Sequence, residues 1–221
     1  MRVNTDSVLL GAWATGPSNE PSRILDIGTG CGILALMMAQ RFAGARIDAL
    51  EIDACAAEEA GANVLSSPWA GRISVRHEDF RKAVFTHPYD LVICNPPYFS
   101  QSLASPDARR TMARHTSGKS LSHRELIEGV AHLLDGYGLF ALILPVNASK
   151  EFFSTAAATG QPLYPHRVTT VYTKRNKPAI RILAQMGKNH VPVVQDTIVM
   201  YGDSGQEYSP QYVSLVRDFY L

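Results

Sequence analysis

The sequence predicts an α/β fold on a mostly parallel sheet, and three observations predict it. Short apolar runs suited to buried strands alternate with helical stretches from Arg23 to Pro145. The first strand runs straight into a glycine-rich turn, Asp26-Ile27-Gly28-Thr29-Gly30-Cys31-Gly32, which opens a helix. The composition, 46% hydrophobic and 19% charged, is that of a globular protein and excludes a disordered, collagen-like or mucin-like chain. Strands alternating with helices imply a sheet covered on both faces. At 221 residues, a single domain spanning 1–221 is expected.

The elements follow in order. Arg23 to Ile27 is a short buried strand, and Ile33 to Phe42 is a helix with Gly44 just beyond its end. Arg46 to Glu51 alternates as a second strand, Ala54 to Leu65 is an alanine-rich helix, and Ile73 to His77 is a third strand. Tyr89 to Cys94 is a fourth strand, stopped by Pro96-Pro97. Leu121 to Leu134 is a helix with Ser122 as N-cap and Glu125 three residues on. Gly138 to Leu144 is a fifth strand, closed by Pro145. Arg167 to Tyr172 and Ala179 to Gln185 form an antiparallel C-terminal pair joined by Lys174-Arg175-Asn176-Lys177, for a seven-stranded sheet. Thr197 to Tyr201 is a candidate for one more short strand, and Tyr208 to Tyr220 for a closing helix.

The longest apolar run, Ile33 to Ala39, is far short of the roughly 20 residues a membrane-spanning helix needs. The opening residues lack a signal-peptide core. Three scattered cysteines, Cys31, Cys55 and Cys94, suggest neither a disulfide framework nor a metal site. A cytoplasmic location is expected. The net charge is only +1, but it is unevenly spread. No acidic residue occurs from Phe152 to Gln195, a stretch holding Arg167, Lys174, Arg175, Lys177, Arg181 and Lys188. A second basic cluster is Arg109, Arg110, Arg114, Lys119 and Arg124. Two such segments on a nearly neutral chain suit either a one-sided positive field for nucleic acid or ordinary solvated loops.

The glycine-rich turn has the spacing Gly-x-Gly-x-Gly, not the Gly-x-Gly-x-x-Gly of dinucleotide binders, and no Lys-Ser/Thr follows to make a P-loop. Glycines let the backbone approach a ligand closely, and a helix N-terminus favours negative groups. Glu51 ends the second strand, where a carboxylate can accept hydrogen bonds from two ribose hydroxyls. Asp79-Phe80 follows the third, placed to meet an adenine ring and its amino group. Successive strand ends are where open α/β sheets bind ligands. Asn95-Pro96-Pro97-Tyr98 follows the fourth strand. Its prolines stiffen an extended turn, so the Asn95 side-chain oxygen and the Pro96 carbonyl become fixed acceptors beside the flat face of Tyr98. That arrangement suits a planar group bearing an NH₂. A plain structural reading also exists: glycines make turns, and prolines end strands.

The series from Asp26 to Asp79 resembles the class I, Rossmann-like, S-adenosylmethionine-dependent methyltransferases. The resemblance implies that Asp26 to Gly32 cradles the methionine part, Glu51 the ribose and Asp79 the adenine of that cofactor, with S-adenosylhomocysteine as product. The candidate cofactor residues are Asp26, Gly28, Gly30, Gly32, Glu51, Ile52, Asp79, Phe80 and Asn95. The candidate catalytic residues are Asn95, Pro96 and Tyr98, since the tetrad is a hallmark of methyltransferases acting on adenine or glutamine amino groups. No metal is expected.

Further segments narrow the resemblance. Thr5 to Ala14, Ser67-Pro68-Trp69-Ala70, Gln206 to Pro210 and the ending Phe219-Tyr220-Leu221, taken with the loop and tetrad, look like the bacterial tRNA adenine-N6 methyltransferases. That family modifies the adenine 3′ of the anticodon, nucleotide 37, in a valine tRNA. The implied partner is tRNA, with Arg109, Arg110, Arg114, Arg167, Lys174, Arg175, Lys177 and Arg181 as candidate phosphate contacts and the basic part 162–221 contributing to docking. The alternative is a glutamine methyltransferase acting on a translation release factor, whose usual helical N-terminal domain this sequence lacks. A cofactor-binding module without catalysis conflicts with the intact tetrad, and DNA adenine methylation with the lack of room for a target-recognition domain. Family members usually carry a Phe/Gln-rich segment over the cofactor ahead of the position of Met1, and weaker cofactor binding is expected without it.

Among the other conspicuous residues, His77 is read as a local hydrogen-bonding group and His115 as either a substrate contact or a surface residue. Met37, Met38 and Cys94 are read as core, and Cys31 as a small neutral filler of the loop. Trp13 is read as packing, with the wall of the cofactor pocket as the other reading. Phe99 either lines a base pocket or anchors its loop.

Overall fold

The computed structural model describes residues 4–17, 20–96, 121–202, 204 and 206–220. The chain opens with helix α1 (Thr5–Trp13), followed by strand β1 (Arg23–Ile27), helix α2 (Ile33–Arg41), strand β2 (Arg46–Glu51) and helix α3 (Ala54–Leu65). A 3-10 turn (Ala70–Arg72) leads into β3 (Ile73–His77), and β4 (Tyr89–Cys94) follows. Then come α4 (His123–Leu133), β5 (Leu134–Pro145), α5 (Val146–Ala157), β6 (Tyr164–Tyr172), β7 (Ala179–Gly187), β8 (Val194–Val199) and α6 (Pro210–Tyr220).

All eight strands join one sheet in the order β3-β2-β1-β4-β5-β7-β6-β8. Only β7 is antiparallel to its neighbours. The expected seven-stranded sheet is thus corrected to eight. The extra strand starts at Val194, ahead of the apolar run that signals it, and lies parallel to β6 with Arg167 opposite Val194. Its first residues are exposed at the sheet edge, so no inward apolar alternation marks them. The strand read as Gly138 to Leu144 begins instead at Leu134 and pairs with Tyr89 before a register shift.

Each element has a local cause. Asn4 caps α1 by accepting the Ser7 amide at 2.7 Å, and Asp53 caps α3 by accepting the Ala56 amide at 2.9 Å. Ser122 and Glu125 form a reciprocal capping box on α4. One face of the sheet is covered by α1, α2, α6 and part of α3, the other by α4 and α5. Met37 and Met38 are buried, as is Tyr212 of α6. Trp13 is buried too, donating from Nε1 to Thr169 Oγ1 at 2.8 Å with the Arg167 guanidinium over its ring at 4.7 Å. Both partners lie on β6, so Trp13 packs the far half of the sheet rather than the glycine-rich turn.

Candidate active site

Because β3, β2, β1, β4, β5 and β6 all run the same way, their carboxyl ends share one edge of the sheet. Ile27 pairs with both Leu50 and Cys94, and Glu51 pairs with His77. The residues just beyond these strands therefore meet on adjacent strand ends: the glycine-rich turn after β1, Glu51 and Ile52 at β2, Asp79 past β3, and Asn95 past β4.

Gly28, Gly30 and Gly32 all have positive φ, at 71°, 59° and 87°. A Cβ at any of them would be strained by backbone conformation alone. The turn is held from below. Gly28 and Thr29 both donate to the Leu50 carbonyl at 2.9 Å, and Asn63 of α3 donates from Nδ2 to the Cys31 carbonyl at 2.9 Å. Glu51, 9% exposed, accepts the Gly30 amide on one oxygen at 2.9 Å and the Asp53 amide on the other at 3.0 Å.

Asp26 has no exposed surface. Its Oδ2 accepts the Thr29 hydroxyl and the Ala35 amide, whereas its Oδ1 is buried without a hydrogen-bond partner. Burial pushes its carboxyl up to about 7, opposed by the two hydrogen bonds and reinforced by the nearby Glu51. A buried acceptor without a donor is costly to ionise, which is why this carboxyl is held in its protonated form to so high a pH. The Cys94 thiol is pushed up by burial and by Asp26 and Glu51, which makes it core rather than nucleophile. Cys31 is buried inside the turn.

Ile52 is 56% exposed, an apolar side chain left open directly beyond Glu51, while its carbonyl is hydrogen-bonded to His77 Nε2 at 3.1 Å. His77 thus has a local partner, as the sequence suggests. Asp79 is gripped by Arg81, whose Nε lies 2.9 Å from Oδ1, and this hydrogen bonding holds its carboxyl below the usual range. The half-buried Phe80 ring lies 6.2 Å from that of Phe85 and against Gly129 of α4, where a Cβ would come within 2.5 Å of Phe80 Cε1.

Asn95 is half-buried and donates from Nδ2 to Ser7 Oγ at 3.0 Å and to Asn4 Oδ1 at 3.5 Å. Its Oδ1 accepts nothing among the described residues. Pro96 is buried behind it. Tyr98, Phe99, Arg109, Arg110, Arg114, His115 and Lys119 lie outside the described residues.

On the same edge, the turn 173–178 between β6 and β7 is exposed from Lys174 onward. Lys174, Arg175, Asn176 and Lys177, with Gly202, line a cavity of about 280 Å³. Two other basic candidates are engaged within the fold. The Arg181 Nε donates to Asp6 Oδ2 at 2.9 Å, and the Arg167 guanidinium pairs with Asp196 at 2.8 Å. Arg124 pairs along its helix with Glu128 at 3.1 Å. Sequence reasoning missed Ser7, Asn4, Thr29, Asn63 and Gly129. Thr29 stands within the glycine-rich turn and Ser7 within the Thr5 to Ala14 segment, though without an assigned role; Asn4, Asn63 and Gly129 reach the site from outside any motif.

Among the described residues no helix is long and apolar enough to cross a membrane, and no group of three metal-ligating side chains occurs. Residues 8–126 match the family model described as "Methyltransferase small domain", and that is the class the fold and site define. A predicted O-methyltransferase from Agrobacterium tumefaciens superposes with a TM-score of 0.73 over 96% of both chains at 19% identity, which shows the Rossmann-like fold alone. A glycopeptide N-methyltransferase solved with S-adenosylmethionine superposes at 0.54, covering 79% of this chain and 95% of that one at 11% identity. A Bacteroides fragilis protein named tRNA1(Val) (adenine(37)-N6)-methyltransferase is 42% identical over 100% of this chain and 91% of its own. A Vibrio vulnificus protein of the same name is 39% identical over 100% and 89%. The chain belongs to this family of methyltransferases.

Proposed function

We propose that the protein transfers a methyl group from S-adenosylmethionine to the exocyclic N6 of an adenine in tRNA, nucleotide 37 of a valine tRNA, in the cytoplasm. The observation that carries this reading is the Asn95 Oδ1 beyond β4, which accepts nothing among the described residues, set on the strand end next to the turn of three positive-φ glycines beyond β1. The residues fit the cofactor. Asp26 would hold the turn through Thr29 and Ala35 and place its charge beneath the bound ammonium, the positive-φ turn would admit the methionine chain without a Cβ in the way, and Glu51 would accept from the ribose hydroxyls. Ile52 offers an apolar face, and Asp79 an acceptor, for its adenine. When bound, S-adenosylmethionine supplies a methyl carbon made electrophilic by a sulfonium sulfur.

The protein's own part is positioning and electrostatics. Asn95 Oδ1 and the Pro96 carbonyl accept the two N6 hydrogens of the target adenine. That draws the nitrogen lone pair out of conjugation and aims it. The new N–C bond forms as the methyl carbon's bond to sulfur breaks, its electron pair staying on sulfur. The nitrogen, now cationic, gives a proton to solvent, so no strong base is required. Tyr98 would stack on the drawn-in base, for about 1–3 kcal/mol. An anticodon-loop adenine costs less to draw out than one in a duplex.

The basic turn would hold the RNA. It lies three strand spacings from β4, about 14 Å along the same edge, within reach of phosphates flanking a nucleotide held at Asn95. Lys174, Arg175 and Lys177 are the proposed contacts there, with Arg109, Arg110 and Arg114 on the segment after the tetrad.

The test is incubation with labelled S-adenosylmethionine and tRNA lacking the modification, beside Asn95→Ala, followed by digestion to nucleosides. N6-methyladenosine formed only with Asn95 intact is the expected result. Cofactor binding without transfer to tRNA would overturn it and favour a protein glutamine acceptor.

A further inference from the structure

An asparagine amide has two faces of opposite character, an acceptor oxygen and a donor NH₂, and in isolation little distinguishes one orientation from its flip. The proposed chemistry works with only one of them, with Oδ1 toward the adenine. The selection comes from outside the motif, in the first turn of α1.

There Asn4 Oδ1 accepts the Ser7 backbone amide at 2.7 Å. A backbone N–H can only donate, so it fixes Asn4 with its oxygen toward the helix. That oxygen lies 3.5 Å from Asn95 Nδ2, and Ser7 Oγ lies 3.0 Å from the same atom. Flipping Asn95 would bring its oxygen against Asn4 Oδ1, two acceptors face to face. The Ser7 hydroxyl alone would tolerate either orientation, since it both donates and accepts; Asn4 gives the pair its polarity. Ser7 is 7% exposed, so water competes poorly for this contact. The turn is itself tied down, because Asp6 Oδ2 accepts the Arg181 Nε of β7 at 2.9 Å. The first turn thus spans the carboxyl edge from β4 to β7.

We infer that this turn is an orientation lock for the amide of Asn95, with Asn4 and Ser7 as positioning residues that act through it and never touch the substrate. The inference rests on the role given above to Asn95. It also accounts for Arg181, a basic residue on the RNA-facing edge whose guanidinium holds the lock to the sheet.

The test compares wild type, Asn4→Ala/Ser7→Ala, Asn4→Asp and Asn95→Ala, with the double variant also made in the Asn95→Ala background. Steady-state methylation of tRNA and S-adenosylmethionine affinity are measured for each. Asn4→Asp keeps both the helix cap and the acceptor, so it should retain near-wild-type turnover. The double variant should lose on the order of tenfold in kcat, the hold of one hydrogen bond, with KM for tRNA and cofactor affinity unchanged. It should lose nothing more in the Asn95→Ala background. Unchanged kcat in the double variant overturns the lock. So does an equal loss with and without Asn95, or a fall in cofactor affinity that matches the fall in rate, since either marks a general structural role. Wild-type protein that makes no N6-methyladenosine overturns the functional reading first, and the lock with it.

Discussion

Replacing Asp26 with asparagine should change how stability depends on pH, and in a direction opposite to that of most carboxylates. In the free protein the Asp26 carboxyl is pushed up to about 7 from 3.8, mainly by burial. Between those pH values the folded protein holds a proton that the unfolded chain has released. The contribution of Asp26 to stability is therefore full below pH 3.8 and is lost progressively as pH rises toward 7. Roughly three pKa units at 1.36 kcal/mol each amount to about 4 kcal/mol. The amide of the Asp26→Asn variant does not titrate. The stability difference, Asp26→Asn minus wild type, should therefore rise with pH by up to that amount and level off above 7. The assay is urea unfolding of both ligand-free proteins from pH 4.5 to pH 8.5. A difference that stays flat across that range refutes the assignment of a strained, ionisable Asp26. Cofactor binding supplies a second readout. A cationic ammonium held over the turn would favour the ionised form of the carboxyl beneath it, so wild-type affinity should fall as pH drops below about 7, and Asp26→Asn should bind at least about tenfold more weakly without that pH dependence.

Three further outcomes follow from the same geometry. Gly129→Ala should destabilise by about 1–3 kcal/mol and weaken cofactor binding, because the new Cβ meets the Phe80 ring and displaces the segment carrying Asp79; an unchanged melting temperature with unchanged affinity would contradict this. Trp13→Phe should cost about 1–2 kcal/mol in unfolding free energy through the lost bond to Thr169, with cofactor affinity unaltered; a fall in affinity would restore Trp13 as a wall of the pocket. Lys174→Ala/Arg175→Ala/Lys177→Ala should weaken tRNA binding and flatten its logarithmic salt dependence by about 2–3, one per lost phosphate contact, as read by filter binding across salt concentrations. An unchanged slope would remove this turn from the docking surface.

The legible part of the fold is the half built on β1 to β4, and the reason is visible in particular residues. Strands β1, β2, β3 and β4 and helix α3 fall where the sequence places them, residue for residue. β1 and β4 are compact apolar runs stopped by Gly28 and by the prolines from Pro96, β2 and β3 alternate, and α3 is an alanine-rich run opened by its Asp53 cap. Helix α1 escaped because Ser7 to Trp13 are buried on every side, so no polar face marks a helical period. Helix α5 begins at Val146-Asn147-Ala148-Ser149-Lys150, too polar to stand out, and β8 starts in exposed residues at a sheet edge. The candidate site divides in the same way. Its loop and tetrad are each a short continuous stretch, and these and the two acids sit just past legible strands and carry their chemistry in residue type. The contact from Asn95 to Ser7 crosses 88 positions of chain and leaves no trace in either local pattern.

Polar satisfaction separates these residues from the rest of the interior. Buried Thr159 bonds to the carbonyls of Ala156 and Gln161, buried Thr169 to Trp13 and Asp196, and buried Gln185 to Thr15. Of the buried side-chain atoms left without a hydrogen bond among the described residues, one is Nε of Arg23, whose guanidinium packs over the Tyr89 ring at 5.9 Å. The other is Asp26 Oδ1. An amide at position 26 would relieve the free protein of the ionisation cost, about 4 kcal/mol near neutral pH, whereas an apolar residue would leave the Thr29 hydroxyl and the Ala35 amide without their acceptor. In the proposed function the carboxylate that burial strains lies on β1, beneath three positive-φ glycines and one strand over from Asn95, and a cation bound above the turn would relieve part of its ionisation cost.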